Sequence, residues 1–227
     1  MNIGIISGGS ADIGFIFEYI SRHGYGYWIG VDSGLEAMKR LGIVPDCAVG
    51  DFDSCDPEVV RYYRGIHMVQ WEQYPEEKDL TDFEAAVRLA LAKSPESITV
   101  FGGTGTRLDH TWSSLSMCQL ALEAGVRMEF VDPWQRIYML GPGTHVLRRS
   151  GLFGGYISFI HTCGPVRGLS LQGFKYPLAP TDLDGPVSLT VSNEPASDLM
   201  RVSLEEGAVY VVEAKDEPAD ESRGKAR

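Results

Sequence analysis

The sequence predicts an α/β domain with a mainly parallel, Rossmann-like sheet, followed by an all-β sandwich domain. Three observations carry this. Up to about residue 131, short apolar β-type runs alternate with segments of helical period, the pattern of a parallel sheet flanked by helices. From about residue 136 to residue 212, short β runs are punctuated by glycine and proline and no helical period survives, as in an antiparallel sandwich or barrel. The densest clusters of acidic residues and glycines follow directly after predicted strands, where a parallel sheet binds its ligands. The division therefore falls into residues 1–135, residues 136–213 and a flexible tail over 214–227.

In order, residues 2–7 form an apolar run stopped by Gly8-Gly9, a buried strand and a tight turn. Residues 12–22 place Ile13, Ile16, Phe17 and Ile20 on one helical face. A strand at 27–31 is closed by Asp32-Ser33-Gly34, and a short helix covers 35–41. Residues 45–49 make a strand, 57–63 a helix and 66–71 a strand. Helix 79–93 is the clearest, with Leu80, Phe83, Val87 and Leu91 at helical spacing and a capping-box pattern, Thr81-Asp82-Phe83-Glu84. A strand at 97–101 precedes Gly102-Gly103-Thr104-Gly105-Thr106-Arg107; Asp109 can cap the helix that runs to 124, and 128–131 is a strand. Beyond Gly141-Pro142-Gly143, β runs are expected at 144–147, 156–160, 169–171, 187–191, 200–204 and 209–212, with a solvated end from Glu213.

Composition narrows the class. The chain has 227 residues, 44% of them hydrophobic and 22% charged, enough for a proper core. A net charge of −11 and a pI near 4.9 argue against a nucleic-acid partner, although a metal and local cations can still hold an anionic substrate. Cys47, Cys55, Cys118 and Cys163 form no CxxC pair, so they read as reduced thiols. With no basic leader at the start and no apolar run approaching about 18 residues, the expectation is a soluble cytoplasmic protein with no membrane partner.

The chemistry centres on Gly50-Asp51-Phe52-Asp53-Ser54. In an extended backbone Asp51 and Asp53 point the same way while Phe52 anchors the other side. Two carboxylates that close repel unless a cation lies between them, and a hard divalent ion such as Mg²⁺ meets that need. The alternative is a plain polar turn, since Asp, Gly and Ser are turn residues. Asp32, Asp51, Asp53 and Asp82 all reach the same sheet rim, together with the Gly102–Arg107 stretch. That stretch is neither a Walker A loop nor a dinucleotide fingerprint, but its bare amides can approach phosphate and Arg107 can fork two oxygens. Mg²⁺-holding carboxylates beside phosphate donors describe a phosphoryl-transfer site.

Gly50-Asp-Phe-Asp-Ser54, Lys78-Asp-Leu-Thr-Asp82 and Gly103-Thr-Gly-Thr-Arg-Leu-Asp-His110 resemble the N-terminal signatures of the thiamine pyrophosphokinase family. Gly173-Phe-Lys-Tyr-Pro-Leu178 and Val191-Ser-Asn-Glu194 are similar to its C-terminal ones. The resemblance runs in order over residues 3–212. It implies a transferase that moves the diphosphate of ATP to the hydroxyl of thiamine, giving thiamine diphosphate and AMP. An N-terminal domain would bind Mg-ATP, a C-terminal sandwich would bind thiamine, and a homodimer would share its active sites. By motif, Asp51, Asp53 and Asp82 hold Mg²⁺, with Asp32 nearby. Lys78, Gly103, Arg107 and Asp109 position the nucleotide and its phosphates, and Ser192 and Asn193 bind the thiamine pyrimidine. Thr106 stands where the family usually has glycine, Pro195 follows Ser-Asn-Glu, and Tyr210 is a candidate aromatic platform. The rival readings are another Mg-dependent ATP diphosphotransferase or phosphohydrolase, and a non-catalytic thiamine- or nucleotide-binding regulator.

Overall fold

In a computed structural model of the chain, which describes residues 1–73, 80–105, 107–161 and 164–216, the strands before residue 132 pair parallel with one another. These strands are β1 (Asn2–Ile6), β2 (Tyr27–Val31), β3 (Cys47–Val49), β4 (Gln70–Glu72), β5 (Ser97–Phe101) and β6 (Arg127–Val131), in the spatial order β4-β3-β2-β1-β5-β6. Parallel strands need crossovers, and helices supply them: α1 (Ile13–Arg22), α2 (Gly34–Leu41), α3 (Pro57–Arg64), α4 (Asp82–Ala92) and α5 (Leu108–Glu123). The chain divides into two compact units, Met1–Pro133 with Ile137–Gly141, and Trp134–Arg136 with the chain from Pro142 onward.

Local chemistry fixes the helix ends of the first unit. Asp12 caps α1 by accepting the amide of Phe15 at 2.8 Å, and Asp56 caps α3 by accepting that of Glu58 at 2.8 Å, with Pro57 in the first turn. Thr81 caps α4 through the amide of Glu84 at 3.1 Å, as the capping-box pattern requires. The face α4 buries is partly alanine: Ala85, Ala86 and Ala90 pack beside Phe83 and Val87. Leu80 lies outside the helix and is exposed. Ile3, Ile5 and Ile6 of β1 and Ile98, Val100 and Phe101 of β5 have no solvent exposure, so these neighbouring strands form the middle of the core.

The second unit is antiparallel. β8 (Gly143–Arg148), β10 (Val166–Gln172), β11 (Leu178–Leu183) and β12 (Leu199–Leu204) form a sheet in the order β11-β10-β12-β8, and β9 (Tyr156–Ile160) pairs with β13 (Val209–Ala214). Alternation buries Leu169 and Leu171 of β10 and Met200, Val202 and Leu204 of β12. It does the same for Ile157 and Phe159 of β9, and the Phe159 ring meets Phe174 edge-on at 5.5 Å.

Four expectations are corrected. Residues 187–191 form no strand: Val187, Leu189 and Val191 are exposed along a loop, and the strand lies earlier, at β11, whose Pro180 is tolerated because β11 is an edge. The predicted strand at 66–71 shrinks to β4, because the Val69 amide turns back to the Ile66 carbonyl. β7 (Gln135–Leu140), next to β6, was not anticipated. Glu213 does not open a solvated end. It is 1% exposed inside β13, and its Oε2 accepts the Arg136 guanidinium at 2.6 Å and the Phe153 amide at 2.7 Å. Among the described residues no helix is long and apolar enough to cross a membrane.

Candidate active site

The chain winds outward from β1 through β2, β3 and β4, then returns to place β5 on the other side of β1. Between β1 and β5 the direction of winding reverses, the place where a parallel sheet offers a crevice at the carboxyl ends of its strands. Here the loops after the two strands are bonded to each other. The Ser7 amide donates to Phe101 O at 2.9 Å, that of Gly9 to Gly102 O at 2.9 Å, and that of Ser10 to Thr104 O at 3.0 Å. Only glycines permit so close an approach: a β-carbon on Gly9 would stand 2.3 Å from Gly102 O, and Gly102 itself has φ of 64°.

Above this seam lies a cavity of about 670 Å³, lined by Gly8, Gly9, Asp32, Asp51, Asp82, Gly102, Gly103, Thr104, Arg107, Asp109 and His110 among others. The sheet and α4 bring three of the four candidate acids to its wall. Asp32 follows β2 in the left-handed region (φ 47°), with its amide bonded to Val49 O at 3.1 Å. Gly50 ends β3 at φ 140°, and a β-carbon there would fall 1.9 Å from Asp32 Oδ1. Asp82 sits in the first turn of α4, where the helix dipole favours a carboxylate.

The Asp51–Asp53 segment departs from the extended geometry. Phe52 lies at φ 64°, its side chain 6% exposed and edge-on to Trp71 at 5.0 Å, and Asp51 Oδ1 accepts the Asp53 amide at 3.1 Å. The turn leaves Asp51 on the cavity wall, while Asp53 is exposed and not among the lining residues. The buried ring is the anchor that was expected; the extended backbone expected between the two acids is replaced by a left-handed turn.

Among the described residues, no three His, Cys, Asp or Glu side chains already converge as a metal cage. The donor set nevertheless suits Mg²⁺, which keeps several waters and takes one or two protein carboxylates together with substrate phosphates. Asp32, Asp51 and Asp82 offer hard oxygen ligands in one cavity.

Asp109 does not cap α5, whose N-cap position is Arg107 without a side-chain cap bond. It faces Arg107 instead, Nε to Oδ1 at 3.2 Å and an Nη to Oδ2 at 2.6 Å. That bond holds the Asp109 carboxyl below the ordinary carboxylate range and raises the Arg107 guanidinium. The fork expected for phosphate is thus preset by a carboxylate. Both groups are exposed, so ligand oxygens can compete for it. Lys78 and Thr106 lie outside the described residues.

In the second unit, Ser192 is exposed at φ 56°, and its amide donates to Ser158 Oγ at 2.9 Å. Asn193 is 3% exposed and its amide group is engaged at both ends. Nδ2 donates to Tyr176 O at 2.7 Å, and Oδ1 accepts the amides of Tyr176 at 3.0 Å and Glu194 at 2.9 Å. Through these bonds Asn193 staples two loop backbones. Tyr210 is 8% exposed within β13.

The thiamine pyrophosphokinase of Bacillus subtilis (strain 168) is 31% identical over 219 residues, covering 94% of this chain and 99% of that protein. Residues 22–130 match the family model for the thiamin pyrophosphokinase catalytic domain, and residues 144–209 that for its vitamin B1 binding domain. The chain belongs to the thiamine pyrophosphokinase family. The crystal structure of thiamine pyrophosphokinase from Bacillus subtilis superimposes with a TM-score of 0.84 at 28% identity, covering 96% of this chain and 100% of that one. The enzyme from Geobacillus thermodenitrificans gives 0.82 at 29%, with coverage of 95% and 98%. The yeast protein, at 15% identity and a TM-score of 0.73 over 93% of this chain and 85% of that one, shares the fold.

Several wall residues of this thiamine pyrophosphokinase family member escaped the sequence reading, namely Ser7, Gly8, Gly9, Ser33, His110, Ser113 and Ser114. A signal existed for the first three. Ser7-Gly8-Gly9 follows β1, and a glycine pair after a central parallel strand marks a backbone ligand surface. Ser113 and Ser114 carry no such mark, because a mid-helix serine is ordinarily a solvated position.

Proposed function

We propose that this member of the thiamine pyrophosphokinase family transfers the diphosphate of ATP to the hydroxyl of thiamine, releasing AMP. The observation that carries the reading is one cavity, at the switch point of a parallel sheet, that joins Asp32, Asp51 and Asp82 to two glycine-rich loops. It occurs in a chain that matches a thiamine pyrophosphokinase over nearly its whole length.

In this reading residues 1–135 bind Mg-ATP, and residues 136–213, folded as a sandwich, supply the thiamine site. Bound Mg²⁺ neutralises phosphate charge as it develops in the transition state. Asp51, Asp53 and Asp82 would hold it, with Asp32 beside them. The amides around Gly103 take phosphate oxygens, and Arg107 exchanges Asp109 for phosphate, with Lys78 assisting. Before ATP binds, Asp109 keeps the guanidinium oriented. Ser192 contacts the thiamine pyrimidine, and Asn193 holds the loop that carries Ser192. The enzyme works in the cytoplasm as a homodimer with shared active sites. Loose phosphoryl transition states require positioning and charge neutralisation above strong proton removal, which fits a wall rich in acids and amides.

Incubating the protein with ATP, Mg²⁺ and thiamine and identifying the products tests this. AMP with thiamine diphosphate is expected; ADP with thiamine monophosphate, or phosphate alone, overturns it.

A further inference from the structure

The glycine-rich loop after β5 is short of side chains that could hold its shape, since Gly102, Gly103 and Gly105 contribute none. Thr104, between them, is gripped from two directions. Its carbonyl accepts the Ser10 amide at 3.0 Å, and its hydroxyl donates to Oδ2 of Asp132 at 2.9 Å. Asp132 immediately follows β6, the strand next to β5, and belongs to a chain segment 28 residues away from Thr104. Thr104 lines the cavity and Asp132 is not among the lining residues. The pair is half-buried, so the bond is shielded from competing water better than a surface contact.

We propose that Asp132 is a positioning residue for the nucleotide: through the Thr104 hydroxyl it holds the glycine-rich loop in the shape that presents backbone amides to phosphate. The inference rests on the proposed nucleotide-binding role of this rim. Glycine has the largest set of accessible backbone conformations, so a loop of this composition loses much freedom when it binds. A tether that fixes it beforehand raises the fraction of molecules ready to bind, and apparent affinity scales with that fraction. The charge of Asp132 is not what the loop requires; an acceptor oxygen at that place is.

The test measures Mg-ATP affinity by titration calorimetry, with kcat and the KM for thiamine in parallel. Thr104→Val keeps the shape and removes the donor, and Asp132→Ala removes the acceptor. Each should weaken Mg-ATP binding about tenfold, the equivalent of about 1.4 kcal/mol. The rate at saturating ATP and the KM for thiamine should stay within about twofold of wild type. Thr104→Ser and Asp132→Asn keep donor and acceptor and should recover most of the affinity. The Thr104→Val/Asp132→Ala double variant should be no weaker than either single one. The proposal is overturned if Asp132→Asn binds as poorly as Asp132→Ala, if Thr104→Val matches wild type, or if the two losses add. Should Asp132→Ala fail to fold, the Thr104→Val and Thr104→Ser pair still decides. A wild-type protein that does not bind Mg-ATP would instead sink the functional reading beneath it.

Discussion

Oδ1 of Asp32 occupies the space in which a β-carbon on Gly50 would stand, 1.9 Å from that ideal position. The end of β2 and the end of β3 therefore interlock, and the missing side chain of one is the room for the carboxylate of the other. Gly50→Ala should displace Asp32 and also strain a backbone at φ 140°, costing about 2–4 kcal/mol of stability. Denaturant unfolding and steady-state rates should fall together. An alanine variant with wild-type stability and rate would show that Asp32 has other room.

Asp51→Asn should lower kcat by about a hundredfold or more and raise the Mg²⁺ concentration at half-maximal rate, because an amide cannot balance a divalent ion on a polyphosphate. Asp53→Asn should cost less, about tenfold, since Asp53 starts off the cavity wall. Near-normal turnover of Asp51→Asn at ordinary Mg²⁺ would remove it from the metal site.

Arg107→Lys keeps a charge and loses the planar fork that now engages both oxygens of Asp109, so kcat/KM for ATP should drop about tenfold. The pH profile gives a second check. Asp109 has a carboxyl lowered by Arg107, so the pair is complete above the ordinary value of 3.8 and is lost only as pH falls through the lowered one. Protonation of Asp109 should therefore add no inflection between about pH 6 and pH 9. A full rate from the lysine variant would mean that Arg107 supplies diffuse charge alone.

Glu213→Gln should destabilise the protein by about 3 kcal/mol, because it leaves the Arg136 guanidinium largely buried without its carboxylate. Chemical denaturation measures it. A loss below about 0.5 kcal/mol would show that the pair behaves like an exposed one.

Asp51→Asn and Ser192→Trp test the shared site of the proposed homodimer. If Asp51 and Ser192 of one site come from different subunits, each variant alone is dead. A mixed dimer then gathers both lesions in one site and leaves the other whole. Random co-assembly should return about a quarter of wild-type AMP release. Mixed dimers that form yet stay inactive would place each site within one chain.

What the sequence made legible was the periodic and the punctuated. The alternation of apolar runs and helix-period segments placed β1, β2, β5 and α1 to within a residue or two; acids after strand ends marked Asp32 and Asp51, and the start of α4 marked Asp82. Errors arose where a residue type has two uses. Val187, Leu189 and Val191 alternate like a strand, but the Val191 amide turns back to the Ser188 carbonyl and breaks the run, whereas the strand at β11 is disguised by Pro180. Glu213 looked like the start of a charged tail because sequence does not display Arg136, 77 residues away, closing a pair on it. The left-handed turn at Phe52 was hidden for a similar reason. An aromatic residue disfavours positive φ; burial of its ring against Trp71 and the Asp51–Asp53 bond across the turn hold it there.

The seam between β1 and β5 has a further consequence, for the order in which the protein can mature. Its two loops belong to segments almost a hundred residues apart in the chain, from Ser7 to Gly102. Closing so long a loop carries a large entropic penalty, and contacts of this span form late in folding. A nascent chain ending before β5 would already contain Asp32, Asp51 and Asp82, yet it would lack the seam beneath the cavity, the proposed floor for a triphosphate. In the proposed reading nucleotide recognition doubles as a checkpoint: a chain that grips ATP has already joined the two halves of the parallel sheet, which meet at β1 and β5.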